Sequence, residues 1–167
     1  MVEALAARCR ELRPDFWLMG EVVAGDYRHW VRPGRLDSVT NYELYKSLWS
    51  SFNDHNFYEL SWTLNRQFGE GGLYRDLRLY NFVDNHDVNR IACTLKDPAH
   101  LPLVYGLLFT LPGIPSIYYG SEFGVEGQRT ERTDRALRPR WDSGWETGGK
   151  SPMRVRPFVL LSAPLSG

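Results

Sequence analysis

Apolar and polar positions along this chain follow two periods in turn. Val2, Leu5, Ala6, Cys9 and Leu12 recur at helical intervals, and Pro14 interrupts that pattern. A helix over 2–12 is therefore predicted. The next apolar run, Phe16 to Met19, passes through Gly20 to a lone carboxylate, Glu21, and predicts a first strand. Pro33-Gly34 marks a turn. A second strand is predicted over 36–42, with polar Thr40, Asn41 and Glu43 at its end. Helices follow over 44–52 and 57–68, separated by Asn53-Asp54-His55-Asn56 and stopped by Gly69, Gly71 and Gly72. A third strand is predicted over 77–83. Pro98 opens a helix over 99–111 whose nearly continuous apolar character predicts deep burial, and Pro112-Gly113 closes it. Residues 115–119 form a fourth predicted strand that exits through Gly120. Helices alternating with strands predict parallel βα units.

Two strand ends carry the candidate chemistry. Phe82-Val83-Asp84-Asn85-His86-Asp87 turns from an apolar lead into an amide, an imidazole and a carboxylate in succession. Barrel and open-sheet enzymes place reactive groups at such carboxyl ends, and a capping turn is the plainer alternative. Glu21 ends the first strand beside Met19, Val22 and Val23. Burial among them would favour the protonated form that a general acid needs, whereas an exposed glutamate at a helix start would have no such role. An eight-stranded βα barrel of about 250 residues spends roughly 31 residues on each unit. Glu21 and Asp87 are about two units apart, and Asp87 and Gly120 about one.

The 167 residues suffice for one domain with a core, and hydrophobic content is an ordinary 43%. Twenty basic and twenty acidic residues give zero formal net charge, so nothing in the bulk charge favours nucleic acid or an anionic membrane. The aromatic fraction is high, 14%, which predicts an aromatic core first and stacking platforms for sugar rings second. Cys9 and Cys93 lack metal-ligand spacing. No apolar run is long enough to span a membrane, and Met1 opens a charged amphipathic stretch rather than a signal peptide. Location stays open between cytoplasmic and secreted. Beyond Pro139 the pattern changes: residues 1–139 are expected to form the βα domain, and 140–167 an atypical, poorly ordered tail.

These residues resemble the α-amylase family of glycoside hydrolases. Phe82-Val83-Asp84-Asn85-His86-Asp87 is similar to the family's motif at barrel strand seven. Gly20-Glu21-Val22 resembles its strand-five motif, and Gly113-Ile114-Pro115-Ser116-Ile117-Tyr118-Tyr119-Gly120-Ser121-Glu122 its strand-eight signature. The resemblance implies an α/β fold, a partial (β/α)8 TIM barrel covering roughly strands 5 to 8. It also implies retaining attack on α-glucosidic linkages in starch or maltooligosaccharides. Glu21 would be the acid and base, and Asp87 would stabilise the oxocarbenium-like transition state. His86 would bind hydroxyls of the cleaved sugar, with Arg135 a further contact and Glu131, four positions earlier, its loosely matched acidic companion. Asn41 and Tyr42, at the second strand end, are candidates for facing substrate.

The family's nucleophilic aspartate belongs to a strand preceding the acid, and the motif carrying its calcium-binding asparagine precedes that. Neither has a counterpart here. Gly34-Arg35-Leu36-Asp37 contains an Arg-x-Asp but follows the acid and starts its strand, which is the wrong face. No cofactor or metal ligand set is therefore expected within this chain, while calcium is compatible with a full-length protein. The implied partner is a missing N-terminal half-barrel, without which hydrolysis is not expected. A 4-α-glucanotransferase, a cyclomaltodextrinase and a non-catalytic truncated product remain the alternatives.

Overall fold

The computed structural model describes residues 1–140. Five α-helices are present: α1 (Val2–Leu12), α2 (Tyr42–Asn53), α3 (Tyr58–Phe68), α4 (Ile91–Thr94) and α5 (Leu101–Thr110). Four short strands accompany them: β1 (Met19–Gly20), β2 (Ser38–Val39), β3 (Tyr80–Asn81) and β4 (Ile114–Pro115). Met19 and Gly20 pair in parallel with Ser38 and Val39. Tyr80 and Asn81 pair in parallel with Ile114 and Pro115. A parallel bridge between Thr40 and Tyr80 joins the two pairs. The four segments thus run side by side in chain order, all pointing the same way. The predicted tail lies outside the described residues except for Arg140.

Each strand pairs regularly over two residues, fewer than the apolar runs predicted. Between β1 and β2 the chain makes a single helical turn, Tyr27–His29, capped by Asp26. Only 17 residues separate those strands, too few for a full crossover helix once Pro33 and Gly34 (φ +80°) have made their turn.

Two clusters form the core. Leu44, Leu48 and Phe52 make one stripe on α2 and meet Leu60 of α3, Ile91 of α4, and Leu101, Val104 and Leu108 of α5. Their spacing of three and four residues is the reason these segments are helical. Tyr27, Val39, Tyr74 and Leu79 form the second cluster. Much of the aromatic content is therefore core, as with buried Tyr27, Phe52, Tyr74 and Phe82. Both cysteines are free. Among the described residues, no helix is long and apolar enough to cross a membrane.

A buried amide network fastens the strands to the helices. Asn41 donates to Asn81 Oδ1 (3.0 Å) and exchanges hydrogen bonds with Gln67 of α3 (2.9 and 3.0 Å). Asn41 Oδ1 also accepts from Leu44 N and so caps α2. Asn81 in turn donates to Pro112 O (2.8 Å). Gly113 completes the join at φ +122°, and a Cβ there would lie 2.6 Å from Asn81 Nδ2 and 2.7 Å from Leu79 O. Gly113→Ala is expected to cost about 2 kcal/mol or more, since both the dihedral and the space exclude a side chain. Urea unfolding should show a lower midpoint at unchanged slope.

Candidate active site

Glu21, His86 and Asp87 converge. Their ligating atoms all lie within 4.8 Å of one another, although Glu21 follows β1 and the other two follow β3. Parallel strands explain the meeting, because every carboxyl end opens on the same side of the sheet. Thr40 holds the Glu21 loop in place: its hydroxyl accepts from Val22 N (2.9 Å) and donates to Val22 O (3.2 Å). Gly20 fits beneath Leu36, whose Cδ1 would lie 2.4 Å from an added Cβ.

The apolar enclosure expected around Glu21 is absent. The residue is exposed, and its carboxylate is held by a hydrogen bond from Tyr42 Oη (2.9 Å). Tyr42 opens α2 and packs edge-on to Phe82 at 4.9 Å between ring centroids. Burial pushes the Tyr42 phenol up to about 12, so at neutral pH it keeps its proton and donates. Asn85 Nδ2 donates to the same Tyr42 oxygen (2.9 Å). Asn85 Oδ1 accepts from Asp87 N (2.8 Å) and Val88 N (3.1 Å), forming a local turn. One side chain, Asn85, therefore links the tyrosine gripping Glu21 to the backbone carrying Asp87.

The remaining predicted residues fare differently. Asn41 is 0% exposed and spends its amide on the buried network, so it does not face the mouth. Sequence reading placed it at an open strand end, but its role as the α2 cap turns it inward. Arg135 is exposed within a short turn, Arg135–Leu137, and touches none of the site carboxylates. Arg138 does so instead. Its Nη2 donates to Asp87 Oδ1 (2.9 Å), and its Nη1 pairs with Asp134 Oδ2 (3.0 Å). The Asp134–Arg138 spacing equals that of Glu131 and Arg135, so spacing alone could not separate the pairs. Burial of Leu137 anchors the turn and directs the next residue to the site. His86 Nε2 sits 3.4 Å from Asp87 Oδ2. Asp37 accepts from Leu18 N (2.7 Å) and pairs with Arg10 (2.8 Å) at the amino ends of the strands, away from this mouth.

Beneath the mouth, Asp84 and Arg90 are buried. Asp84 Oδ2 accepts from Ser121 Oγ (2.6 Å) and Ile91 N (2.9 Å). Arg90 Nη1 donates to Ser121 Oγ (2.9 Å) and Tyr119 O (2.8 Å), with its guanidinium 4.2 Å from the Tyr118 ring centroid. Ser121 thus relays between the two charges and ties the β4 exit to the loop bearing His86 and Asp87.

Among the described residues, Glu21, His86 and Asp87 are the grouping that could hold a metal ion. Calcium takes six to eight oxygen ligands. Two carboxylates, an imidazole and the adjacent Arg138 guanidinium do not make such a cage. Their arrangement suits a polar, hydroxyl-rich ligand: acceptors, donors and one cation meet on an open surface.

Comparison with known proteins identifies the family of the chain. A model of the family described as "Alpha amylase, catalytic domain" matches residues 1–155. The maltogenic α-amylase of Bacillus acidopullulyticus is 32% identical over 127 residues, which cover 71% of this chain and 20% of that protein. The 4-α-glucanotransferase of Thermotoga neapolitana is 38% identical over 97 residues, covering 56% of this chain and 21% of that protein. The crystal structure of an Anoxybacillus α-amylase matches with a TM-score of 0.67 at 27% identity, over 86% of this chain and 33% of that one. The chain therefore spans between a fifth and a third of the length of these proteins. With the family match running through all the described residues, this chain belongs to the α-amylase catalytic-domain family.

Proposed function

We propose that residues 1–139 form strands 5 to 8 of a (β/α)8 barrel that cleaves α-glucans with retention, Glu21 serving as general acid and base. The observation that carries this reading is the convergence of Glu21, His86 and Asp87 within 4.8 Å at the carboxyl ends of β1 and β3. In the forward step Glu21 donates a proton to the departing glycosidic oxygen, and in the second it removes one from water. Tyr42 orients it. Asp87 stabilises the oxocarbenium-like transition state, and His86 binds hydroxyls of the same sugar. Arg138, rather than Arg135, completes the contacts on the Asp87 side.

The separation of Glu21 from Asp87 would by itself suit a retaining pair, whose carboxyls stand about 5 Å apart. The family resemblance instead gives Asp87 the role of transition-state stabiliser, its carboxylate held by Arg138, and puts the nucleophile on a strand that precedes the acid-bearing one. The nucleophile is therefore assigned to a carboxylate outside the described residues, supplied by an N-terminal half-barrel. Calcium, if used, belongs to that part as well.

The 167-residue chain alone is accordingly expected to release no reducing sugar from starch. Release by the purified chain, abolished in Glu21→Gln, would overturn the assignment of the nucleophile. Transfer between glucan chains is a second reading, favoured by the similarity to a 4-α-glucanotransferase. Product analysis on the completed barrel separates them: hydrolysis accumulates reducing ends, whereas transfer conserves their number.

A further inference from the structure

The hydrogen bonds leading to Glu21 have a fixed direction. Asn85 Oδ1 accepts from Asp87 N (2.8 Å) and Val88 N (3.1 Å), which settles how the amide is turned. Asn85 Nδ2 can only donate, so Tyr42 Oη accepts from it at 2.9 Å. The single phenol proton is then left for Glu21 Oε1, also at 2.9 Å. Backbone, amide, phenol and carboxylate form one chain in which each donor and acceptor is dictated by the link before it.

The last donor is also held in place. Tyr42 opens α2, with its ring edge-on to buried Phe82 (4.9 Å) and to Tyr45 (6.2 Å between centroids). In water the two oxygens of a carboxyl are equivalent, but those of Glu21 are not. A proton on Oε1 would set two O–H donors against each other and force the phenol out of the bond it makes. Among the described residues, no donor meets Oε2.

We propose that Tyr42 and Asn85 are positioning residues that confine the catalytic proton to Glu21 Oε2. This rests on the acid and base role proposed above for Glu21. Oε2 gives its proton to the glycosidic oxygen as the bond from that oxygen to the sugar carbon breaks, the bonding pair leaving with the oxygen. In the second step Oε2 takes a proton from the water whose oxygen bonds to the same carbon. Tyr42 keeps its own proton throughout, so the carboxyl stays in one orientation through both steps.

The test uses the barrel completed by an N-terminal half. Tyr42→Phe keeps the ring on Phe82 and removes the donor. Its kcat on starch should fall roughly 10–100-fold, the worth of one hydrogen bond to a charged group, with maltooligosaccharide binding unchanged. Asn85→Asp keeps an oxygen for the two backbone N–H groups but turns an acceptor toward Tyr42. The phenol proton is drawn away from Glu21, and a similar loss should follow. In Glu21→Gln there is no carboxyl proton to place, so adding Tyr42→Phe should cost less than about twofold more. A tyrosine with a merely structural role would cost the same factor in both backgrounds and weaken sugar binding. That result, or an undiminished kcat in Tyr42→Phe or Asn85→Asp, overturns the inference and leaves Glu21 as the acid. An undiminished kcat in Glu21→Gln removes the acid role and this inference with it.

Discussion

Glu21→Gln is expected to lower α-glucan cleavage by about a thousandfold once the barrel is completed by an N-terminal half supplied in trans. General acid and base catalysis contributes about 10²–10⁴ in rate, and here both steps pass through one side chain. Glutamine keeps the acceptor oxygen for Tyr42 Oη, which Glu21 Oε1 now provides, so folding and assembly should not change. The loss should fall on kcat rather than KM, because the proton is transferred only at the transition state. A substrate with a good leaving group needs less protonation, so glycosylation of the enzyme by an activated aryl glycoside should suffer less than starch cleavage. Equal losses on both substrates would remove Glu21 from the acid role and leave it a sugar contact.

Arg90→Ala is expected to destabilise the fold by about 3 kcal/mol or more, because it deletes two hydrogen bonds from a buried charged group, each worth about 1.5–3 kcal/mol. That is a large share of the roughly 5–15 kcal/mol holding a typical domain. Arg90 is 0% exposed, bonds Tyr119 O and Ser121 Oγ, and lies over two tyrosine rings. Its removal leaves the Asp84 carboxylate buried without its relayed cation. Because this cluster underlies the loop of Asn85, His86 and Asp87, whatever remains folded should also lose sugar binding. Denaturant midpoints and maltooligosaccharide titration check the two parts.

The same cluster has a pH signature. Burial pushes the Asp84 carboxyl above its ordinary value, against the opposing hydrogen bonds from Ser121 and Ile91. A carboxyl raised in the folded state holds its proton more tightly there than in the unfolded chain. Its contribution to stability therefore falls as pH climbs from the unfolded value, about 3.9, through the raised folded one. Wild type should lose stability relative to Asp84→Asn over that interval. A difference that stays flat would contradict the burial of a titrating carboxyl.

Most helices were legible because their stripes are regular: α1 begins and ends where Val2, Leu5, Ala6, Cys9 and Leu12 place it. Strand positions were legible from apolar runs, but not their lengths, since regular pairing covers only two residues of each. α4 escaped notice because four residues carry no period. At the site, Glu21, His86 and Asp87 stood out as polar residues ending apolar strands. Asn41 misled for the same reason, because a strand end that also caps a helix points inward. That Arg138, and not Arg135, contacts Asp87 depends on a three-residue turn anchored by Leu137, a tertiary fact that spacing does not contain.

The most direct measurement is a crystal structure of the completed barrel carrying Glu21→Gln with a bound maltooligosaccharide. The expected electron density has one glycosidic oxygen within hydrogen-bonding distance of the residue-21 side chain, and the adjoining sugar's hydroxyls on His86 and Asp87. A saccharide bound elsewhere, with that mouth holding only solvent, would contradict the account.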